Sequence, residues 1–546
     1  MESSAQHVTD PGRNPIGDSA PYFHARVNGP AIVVRGLRES FFGHRVSCAH
    51  DEGLFGQWSW NGTRLSVSTD RYGLFPLYYY ERKGEFAISP SIPTLIELGA
   101  PTELDEAALA VFLRTSSFVG DDTAFKHIRT VPAAKKFEWT RAGLVIDEHR
   151  PQAKPSHPSR EAAVDSYICL FSQAMQRRLP QEPEFVVPLS GGQDSRHIVL
   201  ELCRQKVPPS QCVTGEGHPS TSASDVPLAR QITASLGLAH VLIKQQAASL
   251  STELEKNALT SFTSTEHGWY MGVRNYVRSH TRLTYDGLAG DILSAGALMT
   301  SELLACFRKG VLHDVADMLL NFYLQEDSLK NILPQEAYRR FTRESAAMRL
   351  EHELKYHCSM PNPISSYYFW NRCRRLIAPG NSILLGVPTV FCPYLDRDLF
   401  DFLISLPAEM TIDGTFHKDA IFAAYPRYRR IPFSARSGLP CCTKREFRVL
   451  AGQLFHFLYC GGKRHLRASY VLPRLARALI QTTSVRHTFW LVPFAIFWTQ
   501  LLRLAEGTRG SEDGSRYIDN FLLRSGPGTE VRQYPYPANE ADERSL

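Results

Sequence analysis

Phe185-Val-Val-Pro-Leu-Ser-Gly-Gly-Gln-Asp-Ser195 passes from a short apolar run through Ser190-Gly191-Gly192 into a segment that opens on an acid. The run Phe185 to Leu189 reads as a buried strand, and Arg196 to Arg204 reads as a helix, with Ile198/Leu202 and Val199/Cys203 stacked at i,i+4. Strand, glycine turn and helix in that order announce a parallel α/β sheet. Such a turn presents several backbone N–H groups and a helix N-terminus to one anion. Gly191 and Gly192 allow close approach, and Ser190 and Ser195 add hydroxyl donors. Asp194 has two readings: an acid at a helix N-terminus, or a carboxylate that faces phosphates through a bridging Mg²⁺. No Gly-Lys-Ser/Thr follows, so this is not a Walker loop, and an ordinary tight turn is the competing reading.

Working outward, Arg160 to Arg178 reads as a helix, and before it Pro151-Gln-Ala-Lys-Pro-Ser-His-Pro disfavours helix and suggests an extended linker. A domain boundary falls there. From Tyr22 to Arg150, short apolar runs alternate with turn formers: Ala31 to Val34, Phe55 to Trp60, Leu65 to Ser68, Leu77 to Tyr80 and Phe86 to Ile88. The expected organisation is a flexible extension over 1–21, a strand-rich domain over 22–150, a linker over 151–160, and an α/β domain over 161–505. That second domain turns mainly helical from Ser301, and 506–546 is expected to be a partly disordered tail. There are no internal repeats.

A second loop, Thr284-Tyr-Asp-Gly-Leu-Ala-Gly-Asp-Ile-Leu-Ser-Ala-Gly296, again runs from a short apolar strand into small residues. If the two loops meet at adjacent strand ends, Asp194 and Asp291 can hold one Mg²⁺ on a set of phosphates. Taken alone, Asp291 equally suits a helix start. Cys212-Val213-Thr214 reads as a strand between the loops.

Together these motifs resemble a known family. SGGQDS looks like the SGGxDS pyrophosphate loop of the N-type ATP pyrophosphatases, which include asparagine synthetase, β-lactam synthetase, GMP synthetase and tRNA-thiolating enzymes. The second loop is similar to the asparagine synthetase segment SGEGADELFGG, with Gly287 and Asp291 on the matching Gly and Asp. Ser224-Asp225 followed by Ala229 resembles the family's SDE-type helix start, and Pro393-Tyr-Leu-Asp to Leu406-Pro407 resembles its PFLDxxLxxxxxxLP run. His417-Lys418 then falls where asparagine synthetases open a helix with a lysine, and Arg436-Ser-Gly-Leu-Pro440 resembles the basic segment that follows. The resemblance implies an ATP pyrophosphatase (adenine nucleotide alpha hydrolase-like) domain with extra helices. ATP would contact Leu189, Ser190, Gly191, Gly192, Asp194, Ser195, Val213, Asp286 and Gly287, with Mg²⁺ on Asp194 and Asp291 and Lys418 stabilising charge. Departures from the family are Leu288 and Ile292 in place of its two glutamates and Asp286 in place of serine.

Leu54 to Trp60, Ser68 to Tyr78 and Phe86 to Ser89 resemble the glutaminase half of asparagine synthetase, an Ntn-hydrolase-like β-sandwich, with Asp70-Arg71 for the family's Arg-Asp. That glutaminase uses a cysteine whose own α-amine serves as base. Met1 is followed here by Glu2, no Cys precedes Cys48, and the family's NGEIYNHxELR stretch is lacking. The first domain is therefore expected not to hydrolyse glutamine, but to serve as scaffold or to cradle a substrate peptide.

The expected chemistry is adenylation of a carboxylate, releasing pyrophosphate, followed by attack of an amine that expels AMP. Intramolecular closure, as in peptide macrolactam (lasso) cyclases and β-lactam synthetases, stands first. An asparagine synthetase using free ammonia and a non-catalytic ATP-binding protein are the alternatives. The implied partners are a small-molecule or peptide carboxylate and a precursor peptide or peptidase, with a homodimer as one assembly open to it. Sixty-one basic against 55 acidic residues give a dispersed +6, which argues against nucleic acid. Eleven scattered cysteines without CxxC pairs suit a reducing cytoplasm. Thr488 to Leu502 is uncharged but short of the roughly 20 residues a span requires, so it reads as a buried helix.

Overall fold

The computed structural model describes residues 20–46, 52–216, 224–244, 250–383, 385–434, 444–458, 464–480, 491–507 and 531–534. Met1, Glu2, Cys48, the Cys441-Cys442 pair and Arg436 to Pro440 lie outside the described residues.

The first domain is a sandwich of two antiparallel sheets. One holds β1 (Phe23–Asn28), β2 (Ala31–Gly36), β6 (Tyr78–Arg82), β7 (Glu85–Ser89) and β8 (Arg129–Thr130) in the order β2-β1-β7-β6-β8. The other holds β3 (Glu39–Arg45), β4 (Gly53–Trp60), β5 (Arg64–Thr69), β9 (Ala134–Thr140) and β10 (Gly143–Glu148) in the order β10-β9-β5-β4-β3. Period-two alternation sends Trp58 and Trp60 of β4, Leu65 of β5 and Trp139 of β9 inward to meet Phe23 and Phe86 from the facing sheet. Asp70 is buried at the turn after β5, where its carboxylate accepts the N–H groups of Tyr72, Leu74 and Phe75 (3.1, 3.1 and 3.0 Å). The family-like Asp70-Arg71 pair is thus a turn clamp, and Arg71 reaches out to Asp401 in the second domain.

After an irregular 149–159, Ser159 caps the helix Arg160–Gln176. Three parallel strands follow, β11 (Val186–Pro188), β12 (Gln211–Glu216) and β13 (Ala239–Lys244), while β14 (Leu283–Tyr285) pairs with β15 (Thr389–Phe391). The Thr284 hydroxyl donates to the Val186 carbonyl at 2.7 Å, which sets β14 beside β11. Within the last forty residues, β16 (Val531–Tyr534) pairs antiparallel with β13. It satisfies backbone groups that β13 would otherwise leave unpaired at the sheet edge.

From Ser301 to Ala505 the described residues are mainly helical, as expected. Leu491–Ala505 is a core helix: Val492, Phe497, Trp498 and Leu501 are fully buried, and Phe497 stacks on Phe112 of the first domain. Among the described residues no helix is long and apolar enough to cross a membrane. Tyr368–Ile377 is wound as a π-helix. It carries Arg374 into the seam between domains, where the guanidinium donates to the carbonyls of Gly73, Gly120 and Val131 and to Asp121.

Candidate active site

The β11 and β14 strands lie side by side, so the loops that leave their C-terminal ends open onto one crevice, as in other open α/β sheets. A cavity of about 500 Å³ occupies it, within the ~300–1,000 Å³ typical of small-ligand sites. Leu189, Ser190, Gly192, Asp194 and Ser195 of the first loop line it. So do Val213 of β12 and Asp286, Gly287 and Asp291 of the second loop. Gly191 is not in the lining. Its N–H donates to Asp225 at 3.0 Å and its carbonyl accepts from the Ser434 N–H at 2.8 Å, so this residue ties the loop to its surroundings. Asp225, at the start of the helix Asp225–Leu236, itself lines the cavity.

The first loop is held open by its own side chains. Ser190 N–H donates to Ser195 Oγ at 3.1 Å and Gly192 N–H to Ser190 Oγ at 3.1 Å. The helix Asp194–Arg204 starts immediately after, aiming its N-terminus at the cavity. Asp194 nests against the second loop at places where only glycine fits: a Cβ on Gly287 would lie 2.6 Å from Asp194 Cβ, and one on Gly290 would lie 2.6 Å from Asp194 Oδ1. The two small-residue turns are therefore interlocked through this carboxylate. Burial pushes the Asp286 carboxyl up to about 6, against the opposing pull of the Leu288 N–H.

Behind Asp194 lies a buried polar cluster. His417 Nδ1 is 3.3 Å from Asp194 Oδ1, and its Nε2 is 3.2 Å from His197 Nδ1 and 3.3 Å from the Tyr394 hydroxyl. Burial pushes His417 down to about 3, so the ring is neutral and its approach to Asp194 is not an ion pair. The approach is close but forms no hydrogen bond. Lys418, the next residue along the helix Phe416–Ala424, is turned by about 100° and is exposed. Its Nζ sits 5.4 Å from the Phe422 ring, outside the cavity lining. Phe422 in turn stacks on Phe433, beside the Ser434 that anchors Gly191, so Lys418 lies on the outer flank of the first loop. Arg427, Arg429 and Arg430 are exposed, as a solvated face would be.

Sequence reading missed the opposite wall. Glu266, His267, Trp269 and Tyr270 reach the cavity from the segment before the helix Met271–His280, and Arg372 and Asn381 reach it from the π-helical turns. No periodicity marks them, and the only available signal was a compact run of polar and aromatic residues, Glu266-His-Gly-Trp-Tyr270.

Two carboxylates, Asp194 and Asp291, share the cavity with an open helix N-terminus, and Mg²⁺ is usually held by one or two carboxylates plus substrate phosphates. Among the described residues no cluster of three or more His, Cys, Asp or Glu side chains forms an all-protein metal cage.

The glutamine amidotransferase domain family matches residues 45–150. No curated protein sequence matches the chain. The first domain is therefore of glutamine amidotransferase type, and the match begins at the end of β3 although β1 and β2 complete the same sandwich.

Proposed function

We propose that the chain is an ATP-dependent, AMP-forming carbon–nitrogen ligase of the asparagine synthetase kind. It adenylates a carboxylate, releases pyrophosphate, and passes the acyl group to an amine, in an intramolecular closure of a peptide or β-lactam type. The observation that carries this reading is that Asp194 and Asp291, from two separate loops, line one cavity together with the glycine turn and Val213. ATP would lie with its triphosphate over Ser190, Gly192 and Ser195 and its base toward Val213 and Leu189. A Mg²⁺ held by Asp194 and Asp291 would neutralise phosphate charge there. The substrate carboxylate oxygen bonds to the α-phosphorus as the bond to pyrophosphate breaks, and the helix N-terminus at Asp194 favours the leaving anion. Lys418, carried on a flexible stem at the flank of the loop, is the cation that swings toward the departing charge.

The first domain plays no glutaminase part in this scheme. One feature favours that reading: the described strands β1 to β3 hold no cysteine.

The test is pyrophosphate release from purified chain given ATP, MgCl₂ and a panel of amino acids and peptide carboxylates. Release of pyrophosphate with AMP supports adenylation, whereas ADP with phosphate refutes it. Supplied glutamine is expected to yield no glutamate.

A further inference from the structure

Joining an amine to an acyl-adenylate requires a group that takes the amine's proton, and the positions where the related family keeps glutamates hold Leu288 and Ile292 here. The far wall of the cavity offers a histidine in an unusual setting. His267 is 4% exposed, lines the cavity, and adopts a left-handed backbone with φ of 70°. Ser261 and Phe262, just before it, are left-handed as well, at 48° and 58°. Three non-glycine residues in this conformation within one short segment are costly, and such strain persists only where surrounding packing enforces it.

The packing that enforces it can be named. Buried Lys256 donates to the Ser264 carbonyl at 2.8 Å and to Asn257 at 2.6 Å, and it pairs with Glu253 at 3.3 Å. Gly268 leaves room for that glutamate, since a Cβ there would lie 2.1 Å from Glu253 Oε1. Gly380 does the same for the imidazole, since a Cβ there would lie 2.2 Å from His267 Nδ1.

The ring is also oriented. Ser264 Oγ lies 2.7 Å from His267 Nδ1 and 3.1 Å from the Glu266 carbonyl, and it accepts the Glu266 N–H at 3.2 Å. Every atom is satisfied when the serine O–H donates to the Glu266 carbonyl and Nδ1–H donates to the serine oxygen. That tautomer leaves the Nε2 lone pair for the cavity, and among the described residues no protein hydrogen bond occupies Nε2.

We propose that His267 is the general base of the amide-forming step, oriented by Ser264 as a positioning residue; this rests on the ligase reading above. The amine nitrogen forms a bond to the acyl carbon, the bond from that carbon to the AMP oxygen breaks with its electron pair, and the amine proton passes to His267 Nε2. Burial, together with Lys256 and Arg372, pushes the imidazole down to about 4 against the opposing pull of Glu266, so the ring is neutral and Nε2 carries no proton throughout the physiological range. Glu266 suits the role less well. Arg372 pairs with its charge at 3.7 Å and the Ser116 hydroxyl donates to it at 3.4 Å.

The two half-reactions separate the outcomes. ATP–pyrophosphate exchange reports adenylation, and amide formation with an ammonium salt or a primary amine reports the second step. Hydroxylamine, a strong nucleophile that is largely unprotonated at neutral pH, reports capture that needs no base. His267→Gln should keep exchange and hydroxamate formation within a few-fold of wild type while losing ~10²–10⁴-fold in amide formation. Ser264→Ala should show a smaller loss confined to the same step and a displaced pH profile, and it decides the matter if His267→Gln fails to fold. Equal loss in all three assays, or undiminished amide formation in both variants, overturns the proposal. A wild type that exchanges with no carboxylate in the panel overturns the ligase reading itself.

Discussion

The Nδ1 atom of His417 lies 3.3 Å from the Oδ1 atom of Asp194, and the two residues come from helices more than two hundred positions apart in the chain. Phe416–Ala424 thereby packs a neutral imidazole against the carboxylate at the mouth of the glycine turn, and the Tyr394 hydroxyl and His197 hold the other side of the ring. If Asp194 holds the ion under the proposed function, a side chain packed against it sits in the outer shell, where neighbours of metal ligands are typically worth 10–100-fold in metal affinity or activity. His417→Ala should raise the Mg²⁺ concentration needed for half-maximal pyrophosphate release by about that factor, with partial recovery in His417→Asn. A Mg²⁺ titration unchanged in His417→Ala would remove the histidine from the site.

Asp194→Asn and Asp291→Asn should each abolish pyrophosphate release while the circular dichroism spectrum stays that of wild type. Gly290→Ala should do the same by steric means, because its new methyl would displace Asp194 Oδ1 from 2.6 Å. Full activity in Gly290→Ala would show that the interlock of the two loops is dispensable.

Lys418→Ala should slow pyrophosphate release ~10²-fold, the usual scale for one charge-stabilising donor. An undiminished rate would leave the lysine as a surface residue stacked on Phe422.

Buried histidines set an acid limit on stability. His240 is pushed down to about 4 by burial and by Arg230, and His267 to about 4 as described. The Thr214 hydroxyl donates to the Leu189 carbonyl and is left to accept from His240 Nε2, while His240 Nδ1 is buried with no partner for a proton. Both folded values lie below the unfolded 6.5, so stability is fully present above that pH and falls as pH drops toward 4, by roughly 1.4 kcal/mol per unit for each ring. Asp70 and Asp286, raised to about 6 by burial, work the opposite way between their unfolded 3.8 and 6 and reduce the slope. Unfolding free energies measured from pH 7 to 5 should fall, and His240→Gln, which keeps a donor to Thr214, should flatten the decline. Equal slopes in the two proteins would contradict this.

The two domains should unfold together, held by unequal pins. Arg374 is 3% exposed and donates four hydrogen bonds across the seam, so Arg374→Met should cost about 3–5 kcal/mol in chemical denaturation. Arg71 pairs with a half-exposed Asp401, and Arg71→Ala should cost no more than about 1 kcal/mol. Similar losses in the two variants would reverse this ranking.

What the sequence determined by itself was local. Alternation of apolar and polar residues located β2, β4, β5 and β7, and the order of strand, glycine turn and helix located both loops, because these features depend on neighbours within a few positions. That order set Asp194 and Asp291 toward one ion and the family resemblance added Val213; all three line the cavity. Tertiary structure decided the rest. It turned Gly191 away to Asp225, put Lys418 outside and His417 against Asp194, and joined Val531–Tyr534 to the edge of β13. It also assembled a second wall from Glu266, His267, Arg372 and Asn381. Neighbouring residues on a helix point about 100° apart, so which of His417 and Lys418 meets the carboxylate is fixed by how that helix packs, and a wall drawn from segments a hundred residues apart leaves no period in the chain.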